Sequence, residues 1–302
     1  MQIKCHFERA GAGFRRAPAL ILLLAFLAGF GCTPRTPPLT RPVKAPEAFS
    51  DSGSRKLPDR WWTAFDSEPL DGLVDRALRA NFDLKTAWQR LRAARAVAER
   101  ESAARLPELE AFAEGEVSRT DAADSEQLRL GLTSAYEVDL WGRINSAVEA
   151  EAYRAQASLA DYQTAALSLS AEVVRAWFQL KAAAARKNVL EAQVRANRQV
   201  LVLLEKRFAT GLTRSVDILR QRQLVEATRE QVHAAAARIR VLKHQLAVLL
   251  GETPQKAAAE PALAPGYGPL PELPPLPQTG LPSTLLRRRP DVKRAYKRLQ
   301  AA

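Results

Sequence analysis

Three hundred and two residues, 47% hydrophobic and 26% charged at a mean hydropathy of −0.23, exclude both a disordered chain and a polytopic bundle of apolar helices. Two Cys and three His exclude a disulfide scaffold and a Cys- or His-rich metal centre. The net charge of +12 is spread along stretches in which Arg and Glu alternate, without an aromatic-plus-basic platform, so nucleic acid is not an expected partner.

At the amino end, Arg15 and Arg16 precede an apolar run from Ala17 to Gly31 and then Cys32. A basic region, about fifteen apolar residues and small residues form an export signal over residues 1–31, too short to span a membrane as a helix. Cys32 stands where a lipoprotein signal places its acylated cysteine, and residues 32–60 form a Pro-rich, lipid-anchored tether. Lipoprotein signals favour Leu three residues before that Cys, whereas this chain has Gly29 followed by Phe30. The same residues fit a plain cleaved signal with an incidental Cys.

Next come two helices, at 70–80 and 83–105, the second with Leu84, Trp88, Leu91 and Ala98 near one face and ended by Leu106-Pro107. Residues 108–117 then alternate, with Leu109, Ala111, Ala113 and Val117 opposite Glu108, Glu110, Glu114 and Glu116. Residues 127–138 alternate again, with Leu128, Leu130, Leu132, Tyr136 and Val138 opposite Arg129, Thr133 and Glu137. Two strands joined by polar residues 118–126 follow. One apolar and one polar face over about ten residues fits a membrane-spanning barrel strand, and equally an ordinary half-buried hairpin.

Residues 143–210 contain no Pro and no Gly, and apolar residues recur every seven. Ala152, Leu159, Ala166, Val173, Leu180, Val194, Leu201 and Phe208 form one row, broken at Lys187. Val148, Tyr162, Leu169, Ala176, Leu190 and Leu204 belong to a second, broken at Asn197. A further helix over 215–250 repeats the pattern in Ile218, Val225, Val232, Ile239 and Leu246. Sustained heptads predict antiparallel coiled-coil helices, the first about 100 Å long, packed laterally into a rod or tube. In the intervening turn, Gly211 can end the first helix, Ser215 can cap the second, and Asp217 lies near its positive end.

Asp83–Ala94 and Asp291–Ala302 are identical at seven of twelve positions, 208 residues apart. That offset predicts duplication of a domain-sized unit rather than a solenoid. The first repeat covers 61–254, a Pro-rich linker 255–282, and the second repeat opens at 283–302, so the natural chain is expected to continue.

Several stretches resemble the outer-membrane efflux proteins, the TolC-like channels, in the NodT-type lipoprotein branch. They are Trp61–Asp66, Asn81–Leu84, Tyr136–Arg143, Phe208–Asp217 and Gly280–Asp291. The resemblance implies a homotrimer when full length, each subunit giving four strands to a twelve-stranded outer-membrane barrel and long helices to a periplasmic tunnel. The implied fold is mainly α with a small β part: coiled-coil helices plus a transmembrane β-hairpin, half of a duplicated α-barrel/β-barrel subunit. It implies passive export of drugs, metals or other toxic small molecules. The implied partners are a periplasmic adaptor, an inner-membrane pump of the resistance-nodulation-division type, and outer-membrane lipid. Gly211, Leu212, Ser215 and Asp217 would then form the tip where the adaptor docks, and Cys32 would carry the anchor. Glu110, Glu114, Glu116, Arg129 and Glu137 would face the lumen. No catalytic pairing, phosphate loop or metal-ligand spacing accompanies these residues, so neither an enzyme nor a cofactor is expected. A periplasmic adaptor or a soluble coiled-coil scaffold are the rival classes.

Overall fold

A computed structural model describes residues 46–54, 56, 58–120, 123–255 and 270–302. The signal segment, Cys32, the first part of the tether and linker residues 256–269 lie outside the described residues. In chain order come a 3-10 turn at Trp61–Phe65, α1 (Glu68–Ala80) and α2 (Phe82–Ser102), which tightens into a 3-10 turn at Ala103–Arg105. β1 (Glu108–Thr120) and β2 (Ala123–Ala135) follow, then α3 (Arg143–Ala209), α4 (Ser215–Leu249), α5 (Pro282–Arg288) and α6 (Pro290–Gln300). The chain divides into two units, a strand unit containing Pro107–Val138 and a helical unit of Glu47–Leu106 and Asp139–Ala302.

Both strands depart from the sequence expectation at their ends. They run further into the polar segment, to Thr120 and from Ala123, because the backbone ladder forms whatever the polarity of the side chains. Residues 118–126 are therefore mostly strand rather than a connecting loop. At the other end β2 stops at Ala135, paired with Glu108. Pro107 precedes Glu108 and has no N–H with which to continue the ladder. Tyr136, Glu137 and Val138 consequently lie beyond the strand.

In the helical unit, α3 is one uninterrupted helix of 67 residues, about 100 Å long. Its amino-terminal half is covered by α1, α2 and α6 and its carboxy-terminal half by antiparallel α4. The core sits where these arrangements meet. Leu70, Leu73, Val74 and Ala77 of α1 pack with Val173, Ala176, Trp177 and Leu180 of α3 and with Leu242, Leu246 and Leu250. Each fully buried leucine there contributes about 2–3 kcal/mol of transfer free energy. Along the α3–α4 seam the heptad break at Asn197 is filled rather than empty. Asn197 Nδ2 donates to the Thr228 hydroxyl at 3.2 Å, and Gln221 Nε2 donates to Asn197 O at 2.8 Å. A polar layer of this kind costs stability but fixes the register of two helices that could otherwise slide by a heptad.

The α1–α2 corner is tied to the end of α4 by one side chain. Asn81 is buried; its Oδ1 accepts from Leu84 N at 2.9 Å as the amino-terminal cap of α2, while its Nδ2 donates to Leu249 O at 3.1 Å. Gly251 lies against the same corner at φ +71°, where a Cβ would fall 2.6 Å from Ala80 O. Removing the amide leaves a buried N–H and a buried C=O without partners. We therefore expect Asn81→Ala to lower the unfolding free energy by about 2–3 kcal/mol, read as a lowered melting midpoint of the helical signal. Asn81→Asp keeps the cap but cannot donate, and should fall between the two.

Candidate functional site

Within the strand unit, β1 and β2 pair antiparallel with Glu110 opposite Thr133, Glu114 opposite Arg129 and Glu116 opposite Gln127. Residues directly opposite in an antiparallel ladder share a face. Glu110, Glu114, Glu116 and Arg129 therefore lie on one face, with Glu108 and Phe112. Arg129 Nη2 donates to Gln127 Oε1 at 3.3 Å along this face. Glu137, grouped with these residues by parity, is not part of the strand. The opposite face carries Leu109, Ala111, Ala113, Val117, Leu128, Leu130 and Leu132, with Ser134 opposite Leu109 and Glu126 opposite Val117 at its two ends. Its large side chains are well exposed, Leu132 at 79% and Leu109 at 75%. Between Leu109 and Val117 this apolar band is nine residues long, about 30 Å at full strand rise. Among the described residues nothing buries it. A soluble half-buried hairpin would cover such a face; a hydrocarbon layer would match it.

Phe112 interrupts the polar face, and alternation alone does not explain it. Its ring lies across Gly131, so close that a Cβ there would meet it at 2.5 Å. The aromatic side chain thus shields the one strand position opposite it that has no side chain of its own.

At the hairpin turn of the helical unit, the carbonyls at the end of α3 are satisfied by a left-handed glycine. Gly211 has φ +75°; its N–H donates to Phe208 O at 2.9 Å, and Leu212 N–H donates to Arg207 O at 2.9 Å. Leu212 is 77% exposed. Ser215, expected as the cap of α4, is instead its first helical residue, and Arg214 occupies the cap position without a side-chain bond. Asp217 does the capping from inside the first turn. Its carboxylate accepts from Arg214 N–H at 3.3 Å and from the Thr213 hydroxyl at 3.4 Å. Between the two helices near this turn, Glu205, Phe208, Ser215, Ile218, Leu219 and Arg222 line an open groove of about 320 Å³. The Glu205–Arg222 pair at 2.8 Å joins its walls.

Asp139 was legible in the sequence only as part of a motif, and the structure gives it a job. The cap position of α3 is Gly142, which has no side chain and sits at φ +75°. Asp139 reaches over it, accepting from Asn145 N–H at 2.8 Å and from Asn145 Nδ2 at 2.9 Å. The backbone N–H groups of Asn145, Ile144 and Arg143 hold this carboxyl below the usual carboxylate range.

An amphipathic strand pair thus lies, in chain order, between helical segments, one of them 67 residues long. The chain belongs to the outer membrane efflux protein family, whose sequence model matches residues 73–252. It is 32% identical to the pyoverdine export outer membrane protein OpmQ of Pseudomonas putida, over 94% of this chain and 63% of that protein. It is 25% identical to nodulation protein T of Rhizobium leguminosarum bv. trifolii, over 84% of this chain and 56% of the relative. Among solved structures, the outer-membrane channel OprN superposes with a TM-score of 0.77 at 32% identity, covering 88% of this chain and 61% of that one. The chain thus spans 56–63% of the length of these curated relatives. Membership in this family displaces both rival classes, the periplasmic adaptor and the coiled-coil scaffold.

Because the folded-state pKa of Asp139 is depressed, its capping contribution is present above the ordinary carboxylate value of about 3.9 and is lost as pH falls through the lower folded value. Asp139→Asn should melt at a lower temperature than the parent at pH 7, and the difference should close below about pH 4.

Proposed function

We propose that this chain forms the leading part of a subunit of a trimeric outer-membrane channel through which small molecules leave the cell. The observation that carries this reading is the strand pair, with an uncovered apolar band on one face and an acidic face opposite, in a chain of this family. Two strands close nothing alone. Four per subunit, from two repeats, would make a twelve-stranded barrel, with the apolar band toward lipid and Glu110, Glu114, Glu116 and Arg129 toward water. With Glu108, four carboxylates to one guanidinium along that face favour cations in the lumen.

In this reading α3 and α4 contribute to a periplasmic tunnel, and Gly211, Leu212, Ser215 and Asp217 form the tip to which a periplasmic adaptor docks. The exposed Leu212 and the groove beside Phe208 and Leu219 supply the apolar surface such docking needs. An inner-membrane pump of the resistance-nodulation-division type supplies the energy, and the channel itself performs no catalysis. Cys32 anchors the chain in the outer membrane by a lipid, and the exported compounds are drugs, metals or other toxic small molecules. Pyoverdine, named for a relative, is one compound to assay.

The test is conductance of the complete channel in planar bilayers. Glu110→Lys with Glu114→Lys should leave assembly intact and shift the reversal potential toward anions, lowering the cation-to-anion permeability ratio by roughly twofold or more. Leu130→Lys, on the opposite face, should instead cost about 2–4 kcal/mol of barrel stability and reduce the amount of trimer in the outer membrane. An unchanged reversal potential together with normal Leu130→Lys assembly would mean that the two faces do not look onto lumen and lipid.

A further inference from the structure

The tether meets the linker. Asp51–Gly53 runs antiparallel to Leu276–Thr279, 224 residues further along the chain. Gly53 N–H donates to Pro277 O at 3.0 Å. Thr279 N–H donates to the Ser52 hydroxyl at 3.3 Å, and the Thr279 hydroxyl donates to Asp51 O at 3.4 Å. The two backbones approach so closely that a Cβ on Gly53 would fall 1.5 Å from the Leu276 carbonyl oxygen. The φ of Gly53 is not positive, so space rather than backbone conformation demands glycine here.

Both sides of this contact are built for it. The linker segment carries Pro271, Pro274, Pro275 and Pro277, which hold it extended and remove its donors, leaving carbonyls to be satisfied. Hydrophobic burial does not fasten it, since Leu273 is 86% and Leu276 62% exposed. The far end of the tether, by contrast, is firmly held. Trp61 Nε1 donates to the Ser170 hydroxyl of α3 at 3.2 Å, and Arg60 pairs with Asp75 of α1. Trp61 also packs edge-on against Phe65, which packs on Phe178 of α3 with ring centroids 5.0 Å apart. Downstream of the linker, Asp161 of α3 receives Arg294 at 2.9 Å and Arg298 at 3.0 Å from α6.

We propose that Asp51–Gly53 is a strap: a binding segment for the extended, Pro-rich linker at Leu276–Thr279, which fastens the entry to α5 and α6 onto α1 and α3 through Trp61 and Arg60. Two consequences follow. The first point at which the tether is fixed is Asp51 rather than Trp61, and a pull on the tether is felt by the linker before it reaches the aromatic anchor. The strap goes beyond the channel reading and does not depend on it, because its readouts are cross-linking and cleavage of the intact chain rather than conduction.

Ser52→Cys combined with Thr279→Cys, in the exported full chain, should be joined by a short bismaleimide within one molecule, while either single variant should not. Adding Gly53→Val should abolish the cross-link and leave the helical melting curve in place. A second measurement avoids reliance on that substitution. Deleting Asp51–Ser54, which are not buried, should speed cleavage by a Glu-specific protease at Glu272 on the order of tenfold, because the linker is then released. The proposal is overturned if the double-cysteine chain does not cross-link, if Gly53→Val cross-links as well as its parent, or if cleavage at Glu272 is no faster after the deletion.

Discussion

A helix about 100 Å long presents more apolar surface than any one neighbour of ordinary length can cover, and the helical unit is organised around that constraint. The 35 residues of α4 reach along only half of α3. The other half is covered by shorter pieces, α1, α2 and α6, which arrive from both ends of the sequence. The change of partner falls at Leu169–Leu180, and there the burial is deepest: Val173, Ala176 and Leu180 are all almost inaccessible. Toward the hairpin turn the seam thins until Phe208 is 47% exposed. Stability is thus concentrated in the middle of the long helix, and the turn is the part that local contacts hold least.

Helix length itself is set by termini rather than by composition. Three left-handed glycines, Gly142, Gly211 and Gly251, stand at the start of α3, the end of α3 and the end of α4. At Gly211 and Gly251 the same pair of backbone bonds closes the helix, with Glu252 N–H reaching Ala247 O at 2.9 Å in the second case. Two of these ends are also fastened by a polar side chain from outside the helix: Asp139 at the start of α3, Asn81 at the end of α4. A residue with a Cβ at Gly251 would collide with Ala80 O, so the end of α4 and the α1–α2 corner have to be specified together.

Periodicity made the elements legible, and its failures are informative. The heptad rows located α3 and α4, because a repeated burial period is written in residue type. Strand ends were less legible. Alternation in hydrophobicity fades in the polar stretch after Val117, whereas the hydrogen-bond ladder continues to Thr120 regardless. Of the candidate residues, Glu110, Glu114, Glu116 and Arg129 share one face as their alternation implied, but Glu137 has the right parity and the wrong element. Ser215 has the right residue type for a cap, yet Asp217 already occupies the donors of that turn, leaving Ser215 inside the helix. The capping role of Asp139 and the Asp51–Gly53 pairing were illegible for a different reason. Both depend on which backbone groups lie unpaired nearby, and no local pattern of side chains encodes that.

The two sequence-related segments, Asp83–Ala94 and Asp291–Ala302, lie against the same helix by different chemistry. On α2, Leu84 and Leu91 are buried, and Trp88, half-exposed, packs at a tilt against Tyr162 of α3 with ring centroids 5.4 Å apart. On α6 the residue matching Trp88 is Tyr296, which is 48% exposed. Contact there is made instead by Arg294 and Arg298 to Asp161 and by Lys297 over Tyr153 at 4.8 Å. Arg298 matches Arg90, a residue shared by both copies, whereas Arg294 replaces Thr86. An exposed ion-pair contact is weak and salt-sensitive compared with burial of Leu84 and Leu91. The α2 side of α3 is therefore held mainly by buried apolar side chains and the α6 side more by exposed charges, and it is to the latter that the strapped linker delivers the chain.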